Sequence, residues 1–373
     1  MTSSPIRVPS LRVRGCGRAA SGITMWRVVT QCSVTLLFCY LATAGILPHV
    51  PNIVEPPVPE EMRMSLDDVQ ALVETEQDPE VTPGLFQGDM ALTSEFYDHW
   101  RVGLRWDVFP EKLWDNQTVP YVISPLYLAE DYATILLAIR TLNFMTCIKF
   151  VPWDGKKKDF LLIWPIKYPK GCWSYVGKFG GAQIVSLQPP DKTGPNCLGG
   201  EGRALHELMH ALGIFHEQSR ADRDDFVTIH TDNIIPQFRN NFQKQSLENT
   251  TYAFEYDYDS IMHYGKYFFS AGKGRPTISP KKGKARLGQR RGLSKTDCLK
   301  LNDLYGCLDK SVALRRKYYN ICNYLGLQRR TCRGPPADAL RQVVRIPSPD
   351  DCDICDIRAV LAVWSTRPRN MLP

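Results

Sequence analysis

Four short apolar runs predict β-strands in the middle of the chain. They are VPYVIS from Val119, IKFVPW from Ile148, FLLIWP from Phe160 and AQIVSL from Ala182. Between the first two runs, apolar residues recur at helical spacing from about Leu128 to Phe144, and a second helix is expected around His206. A sheet with two long helices, followed by less regular chain to about Cys307, predicts an α+β domain.

The pattern is different in residues 45 to about 101, which precede this domain. This stretch is proline-rich and acidic at first, contains no cysteine, and shows only a short helical pattern around Ser65 to Glu76. Such a composition is typical of a pro-segment or a linker.

An apolar run near the start of the chain, MWRVVTQCSVTLLFCYLATAG from Met25, has the features of a signal peptide. An arginine precedes the run, and Ala42 and Ala44 form a small-x-small pattern at its end. Residues 1–24 make a long basic leader, which initiation at Met25 would explain. The alternative is an uncleaved anchor from about Val28 to Leu47, but Cys, Thr, Ser and Gln dilute its apolarity. We therefore expect cleavage, secretion and no stable membrane span.

Cysteine usage agrees with an oxidising compartment. Of the twelve cysteines, three lie in or before the apolar leader and nine follow it. The odd number leaves one thiol free, paired between chains or removed by processing. Two Asn-x-Thr sites, at Asn116 and Asn249, predict glycosylation.

The net charge of +7 does not predict a nucleic-acid partner. Much of the excess positive charge lies in residues 308–373, and the other basic residues show no recognition motif. The 43% hydrophobic content is enough for a packed core.

The stretch HELMHALGIFHEQSRADRD, which begins at His206, holds three of the seven histidines. His206 and His210 are four residues apart and share a helix face, while Gly213 lets the chain turn back and deliver His216. Glu207 stands where a general base for a metal-bound water is needed. Three imidazoles with an open position predict one catalytic Zn²⁺. Surface histidines on an amphipathic helix are the alternative, but HExxHxxGxxH fixes five positions by type and spacing.

Together with SIMHYGKYFFS from Ser260, this stretch resembles the astacin family of zinc endopeptidases within the metzincins, over roughly residues 85–307. All fixed positions of HExxHxxGxxHExxRxDRD are present. GCWSYVG and LNDLYGC, at residues 171–177 and 301–307, are also similar to the family. The resemblance implies a metzincin-like domain with a twisted mixed sheet, two long helices and an irregular C-terminal subdomain.

The resemblance also implies roles for individual residues. Met262 would form the methionine turn that packs under the histidines, and Tyr264 would be a further zinc ligand that swings away to hold the oxyanion. The reaction would be hydrolysis of protein or peptide substrates, with Glu207 moving the proton. The implied disulfides are Cys147–Cys307 and Cys172–Cys197.

LFQGDM, from Leu85, resembles the FxGD signature of astacin pro-segments, in which the aspartate occupies the zinc site. That aspartate would be Asp89, a ligand in the zymogen only. A trypsin-like protease would activate the chain by cutting after Arg101 or Arg105, and the new amino terminus would then fold inward toward Glu217. The resulting regions are a signal peptide at 1–44, a pro-segment at 45–105, a catalytic domain at 106–307 and a tail at 308–373.

RLGQRRGLS, around Arg290, resembles the segment from which several astacins present an arginine toward the residue after the scissile bond. An acidic residue there would gain a charge-assisted partner; an exposed arginine in a basic loop is the alternative. Cys298 departs from the minimal astacin pattern and can pair with a cysteine of the tail. The tail resembles neither the CUB nor the EGF modules that often follow astacin domains.

Two other functions remain as alternatives. A matrixin or another metzincin is disfavoured, because residues 45–101 lack the cysteine that keeps matrixins latent and SIMHY is the astacin form of the turn. A catalytically inactive secreted glycoprotein, using the fold only for binding, would usually have lost Glu207 or a zinc ligand.

Overall fold

The computed structural model describes residues 78–92, 109–190, 196–245 and 253–331, with side chains to residue 325. Its main sheet has six strands: β1 (Met90–Ala91), β2 (Thr118–Ile123), β3 (Lys149–Pro152), β4 (Phe160–Trp164), β5 (Trp173–Tyr175) and β6 (Ala182–Ser186). The order across the sheet is β1-β5-β6-β4-β2-β3. β5 runs antiparallel to β6, whereas the other pairs are parallel. This mixed sheet, with the helices below, confirms the expected α+β class.

The inner strands follow from the apolar runs of the sequence. β4 is FLLIW, and all five of its side chains are buried. A strand of this kind is covered on both faces, as is usual where parallel strands are joined through helices. The other three apolar runs coincide with β2, β3 and β6.

Two long helices cover the sheet and build the core. α1 (Ala129–Met145) buries a face that includes Ile135, Ile139 and Leu142, which have the spacing of one helical stripe. It packs against α2 (Glu201–Ala211), which is buried at every position from Ala204 onward. α2 is therefore a central helix, and the side chains it carries are fixed on all sides by packing.

The chain after α2 is less regular, as expected. It contains short 3-10 turns, a two-stranded antiparallel sheet of β7 (Val227–Ile229) and β8 (Ile278–Pro280), and then helix α3 (Lys295–Leu304). A capping box starts α3, because the Ser294 side chain accepts from Asp297 N and the Asp297 side chain accepts from Ser294 N.

The tail begins with a helix that was not predicted from the sequence, α4 (Val312–Thr331). Tyr318 and Cys322 are buried in the main core, and Leu314, Ile321 and Leu325 pack against it. Their spacing is that of one helical stripe, so the pattern was present in the sequence. Residues 312–325 are thus part of the folded body.

Three disulfides lie within the described residues. The structure joins Cys147 to Cys307 and Cys172 to Cys197, the pairs that the resemblance implies. It also joins Cys298 to Cys322, which resolves the open question of the extra cysteine. The third disulfide ties α4 to α3.

Several expectations fall on residues outside the described ranges. These are the signal peptide and the alternative anchor, the helical pattern at 65–76, the activation sites Arg101 and Arg105, the sequon at Asn249, and Cys332, Cys352 and Cys355. Among the described residues, no helix is both long and apolar enough to cross a bilayer. Asn116 is exposed.

The Cys298–Cys322 disulfide closes a loop with a sequence separation of 24 residues. Replacing both cysteines with alanine should lower the free energy of unfolding by about 3 kcal/mol, because the unfolded chain regains the entropy of that loop. Urea titration of the full-length protein measures the change. An unchanged midpoint would mean that α4 is held by packing alone.

Candidate metal centre

Helix α2 and the turn after it bring three histidines together. His206 and His210 lie one turn apart on α2, and the helix ends at Ala211. Gly213 has φ 99°, and its N–H bonds to the carbonyl of His210. The chain then reverses and places His216 beside the other two, with all three rings buried.

The Nε2 atoms of these histidines converge on the carboxylate of Asp89. Asp89 Oδ2 is 3.1 Å from Nε2 of both His206 and His216, and Oδ1 is 3.6 Å from Nε2 of His210. Nε2 of His206 and Nε2 of His210 are 3.2 Å apart. Within the described part of the chain, these four residues are the only group of three or more His, Cys, Asp or Glu side chains that lie close enough together to hold one metal ion.

The far side of each ring fixes its orientation. Nδ1 of His206 donates to Ile261 O at 2.8 Å, and Nδ1 of His210 donates to Ile214 O at 2.8 Å. Nδ1 of His216 donates to the side-chain oxygen of Gln87 at 2.9 Å. In the tautomer with the proton on Nδ1, Nε2 of each ring presents a lone pair to the centre.

This set of donors fits a metal ion. Burial lowers the pKa of His210 far below its ordinary value and that of His216 to about 3, so both rings are neutral. Burial also raises the pKa of Asp89 to about 7, because desolvation disfavours its charged form, although the contact with His206 partly opposes the shift. Three imidazoles and one carboxylate are ligands that suit Zn²⁺ in a four-coordinate site.

Glu207 lies next to this centre without joining it. Its side chain is fully buried, and neither carboxylate oxygen has a hydrogen-bond partner among the described residues. Burial raises the pKa of Glu207 well above its ordinary value, and the charge of Asp89 adds to the effect. A buried carboxyl group with free lone pairs beside a metal site is suited to accept and return a proton.

The loop at Ser260–Met262 supports the histidines. Asp297 of α3 accepts from Ser260 Oγ at 2.6 Å and from Ile261 N at 2.8 Å. Ile261 in turn accepts from His206, and Met262 O accepts from Glu217 N at 3.0 Å. Met262 is buried in the main core, so its contribution here is packing.

Tyr264 is close to the centre but its hydroxyl is engaged elsewhere. The hydroxyl donates to Gln87 O at 2.6 Å, and the ring centroid is 4.9 Å from that of His216. In this arrangement the phenol binds a backbone carbonyl two residues before Asp89. The group that would hold an oxyanion is therefore already bonded to a peptide carbonyl.

Residues 78–92, called the cleft segment below, carry Asp89 into the centre. Met90 and Ala91 pair in parallel with Ser174 and Tyr175 of β5, so the segment adds a strand to the sheet edge. Gly88 has φ 90°, and a Cβ there would lie 2.7 Å from Glu80 O and 2.8 Å from Phe269 Cζ. Glycine is thus required one residue before Asp89.

Arg290 is buried and paired, so it is not an exposed loop arginine. Its Nε lies 2.8 and 2.7 Å from the two oxygens of Glu80, and its Nη2 also donates to Glu80. Burial alone would raise the pKa of Glu80, but Arg290 and other nearby positive charges lower it to about 2. A carboxylate of the cleft segment therefore pairs with the arginine for which the family resemblance predicts a role in substrate binding.

Glu217 is also paired in this structure. Its carboxylate accepts from Arg220 Nη1 at 3.2 Å, from Asp257 N at 2.8 Å and from Lys300. No role for Lys300 was predicted from the sequence.

Two further residues of the cleft were not predicted from the sequence. Arg203 precedes His206 by three residues and so shares its helix face, a signal that was available. Gln87 contacts both His216 and Tyr264, and only its place inside the FxGD pattern pointed to it.

A helix-borne HExxH pair, a third histidine after the turn and a supporting methionine loop define a centre of the metzincin type. The family model for Astacin, which describes a family of peptidases, matches residues 107–306, which is more than half of the chain. The chain therefore belongs to the astacin family.

Individual relatives agree with this assignment. Zinc metalloproteinase nas-15 of Caenorhabditis elegans is 43% identical over 202 residues, which cover 52% of this chain and 33% of that protein. Astacin-like metalloendopeptidase of Mus musculus is 37% identical over 235 residues, or 62% of this chain and 50% of that one. The chain thus spans a third to a half of the length of these two relatives.

One similar solved structure is high choriolytic enzyme 1, a hatching enzyme zinc-protease from Oryzias latipes. The two sequences are 39% identical, and the match covers 52% of this chain and 93% of the hatching enzyme chain, with a TM-score of 0.47.

The donor set predicts one zinc ion per folded chain. Elemental analysis of purified full-length protein should find zinc close to one equivalent, and His210→Ala should lose most of it because a ligand is removed. His230, which lies outside the centre and bonds to Ser279, offers the control, since His230→Ala should keep the metal. Zinc-free wild-type protein that is fully folded would contradict the assignment.

Proposed function

We propose that this chain is the latent precursor of a secreted zinc endopeptidase, with Glu207 as the general base. The observation that carries the proposal is the carboxylate of Asp89 among three histidine Nε2 atoms, on a segment 117 residues before His206. A protein that used this fold only for binding would need neither the intact HExxH glutamate nor a carboxylate held over the ligands.

The chemistry follows from the residues around the centre. Bound Zn²⁺ would supply Lewis acidity there, which acidifies water and polarises a carbonyl. Glu207 would take the proton of the attacking water and pass it to the leaving amine, since its carboxylate is buried beside the ligands. The Tyr264 hydroxyl would donate to the oxyanion, as it now donates to the carbonyl of Gln87.

The cleft segment supports the latent state in the proposal. Peptide substrates of many proteins bind by adding a strand to a sheet edge. The cleft segment takes that place on β5 and reaches the metal ligands, Tyr264 and Arg290 as well. A substrate and this segment would compete for the same contacts.

Regions outside the described residues complete the proposal. Residues 1–44 would be a signal peptide, 45–105 the pro-segment, 106–307 the catalytic domain and 308–373 a basic tail. Three disulfides among the described residues support passage through an oxidising compartment. Glycans at Asn116 and Asn249 would be added on the same route.

Activation would require a cut by a trypsin-like protease after Arg101 or Arg105. The new amino terminus would then approach Glu217, the acid that follows His216. Because Glu217 already binds Arg220 and Lys300, the incoming ammonium group would share the carboxylate with them. These existing contacts would hold the Glu217 carboxylate in place for the new amino terminus.

Arg290 would bind an acidic side chain of the substrate after the scissile bond. This role is supported by the acid that Arg290 binds in the structure, since both carboxylate oxygens of Glu80 accept from its guanidinium group. Such fork-like pairing is what arginine provides and lysine does not.

Glu207→Gln should keep the metal and abolish turnover in the activated protein. Glutamine has nearly the same shape but cannot accept the proton, and general-base catalysis is worth about 10² to 10⁴ in rate. Casein hydrolysis and zinc content are measured together. Glu255→Gln, at an exposed acid, is the matched control and should stay active; near-normal hydrolysis by Glu207→Gln would refute the assigned base.

Asp89→Ala should make the uncut chain measurably active, because its carboxylate no longer occupies the metal site. Leakage should be partial, since Gln87 and Glu80 still hold the segment. Hydrolysis is compared between uncut wild type and uncut variant, with the exposed Asp154→Ala as control. If neither uncut protein hydrolyses casein, steric blockage by the segment is sufficient for latency.

A further inference from the structure

The metal-binding face of α2 carries a fourth polar residue, Arg203. With His206, Glu207 and His210 it has the spacing i, i+3, i+4 and i+7, so all four lie along one helical stripe. Its side chain is 22% exposed, in contrast to the fully buried ligands. Arg203 thus lies at the rim of the cleft, one turn before the first ligand.

A glycine brings Arg290 to the same rim. A Cβ at Gly202 would lie 1.7 Å from Arg290 O and 3.0 Å from its Cα, so any side chain there would displace the loop. The backbone of Arg290 therefore packs directly on the first turn of α2. Two arginines from distant parts of the sequence become neighbours in this way.

The two guanidinium groups share the carboxylates of the cleft segment. Arg203 Nη2 is 2.7 Å from Asp78 Oδ2, and its Nε is 3.7 Å from Glu80 Oε1. Glu80 also holds Arg290, and it is fully buried. The carboxylates of Asp78 and Glu80, separated by one residue, thus pair with the two guanidinium groups. Among the described residues, Arg203 and Arg290 form ion pairs only with this segment.

Departure of the segment would leave both cations without these partners. Nε of Arg203 is buried and has no hydrogen-bond partner among the described residues even now. Two adjacent guanidinium groups repel each other, and desolvated charges favour an oppositely charged ligand. A neutral peptide would offer carbonyl acceptors but no negative charge to balance the two cations.

We propose that Arg203 and Arg290 form one anion subsite, which binds two acidic side chains of a peptide substrate and is occupied by Asp78 and Glu80 in the latent chain. This inference rests on the proposed peptidase function. It adds to the single arginine of the family resemblance a second one, on the metal-binding helix, and it defines the substrate class as peptides with two acidic residues close together.

The first test uses the chain after activation by cleavage, with its tail retained, and quenched fluorescent peptides. Glutamate or glutamine is placed at two positions, two residues apart, and the pair is moved along the peptide. The wild type should prefer glutamate at both positions. Arg203→Gln should lose about fivefold in kcat/KM for glutamate over glutamine at one position, as expected for a partly exposed ion pair. Arg290→Gln should lose about tenfold or more at the other, because its pair is buried.

Arg140→Gln is the matched control, since it removes the same charge from an exposed position on α1. It should keep both preferences. Arg203→Lys should keep part of the preference, because the charge remains while the fork of donors is lost. If Arg203→Gln keeps the wild-type preference for glutamate over glutamine at both positions, the proposed subsite is wrong.

The second test needs no variant of the protein. A synthetic peptide of residues 78–92 is titrated into the activated chain by calorimetry, and Asp78→Asn in the peptide should weaken binding about fivefold. An unchanged Kd would overturn the role of Arg203, even if the protein cleaves substrates normally. The activated chain could also bind the Asp78→Asn peptide about fivefold more weakly and yet cleave no peptide, whether acidic or neutral. That result would uphold the subsite and refute the proposed catalysis.

Discussion

The structure depends on one electrostatic constraint, the convergence of three imidazole lone pairs and a carboxylate where water is excluded. The rings cannot turn away, because each Nδ1 is held by an oxygen behind it. Buried acceptors that face each other are unfavourable unless a cation or a proton lies between them. A bound Zn²⁺ would therefore contribute to stability as well as to chemistry. The packing of α2 on all sides keeps the three rings directed at one point.

A chain of contacts links this centre to the tail. Ile261 holds His206, and Asp297 at the start of α3 holds Ile261. The Cys298–Cys322 disulfide then joins α3 to α4. Because Asp297 uses its carboxylate for both the helix cap and the methionine loop, a shift of α3 would move a ligand of the metal. The first part of the tail thus supports the position of His206 through α3, even though it lies outside the zinc motif.

The parts that the sequence could predict are those with local patterns. Strands appeared as apolar runs, and the ligands followed from helical spacing and a turn. α4 also had a readable helical stripe through Tyr318 and Cys322, although this helix was not predicted. The pairing of Glu80 with Arg290 spans 210 residues, and no local rule brings such distant charges together. That contact required the fold, above all the close approach at Gly202.

In the proposed precursor, latency and selectivity would share two side chains, Arg203 and Arg290. The two arginines differ in how much they contribute. Glu80 and Arg290 form a buried pair that salt screens poorly, while Asp78 and Arg203 are partly exposed and are screened more. Arg290 would therefore set whether an acidic peptide binds, and Arg203 would adjust how strongly. In the proposed precursor, the partly exposed pair of Asp78 and Arg203 would open before the buried pair, and its opening would let water reach Glu80 and Arg290.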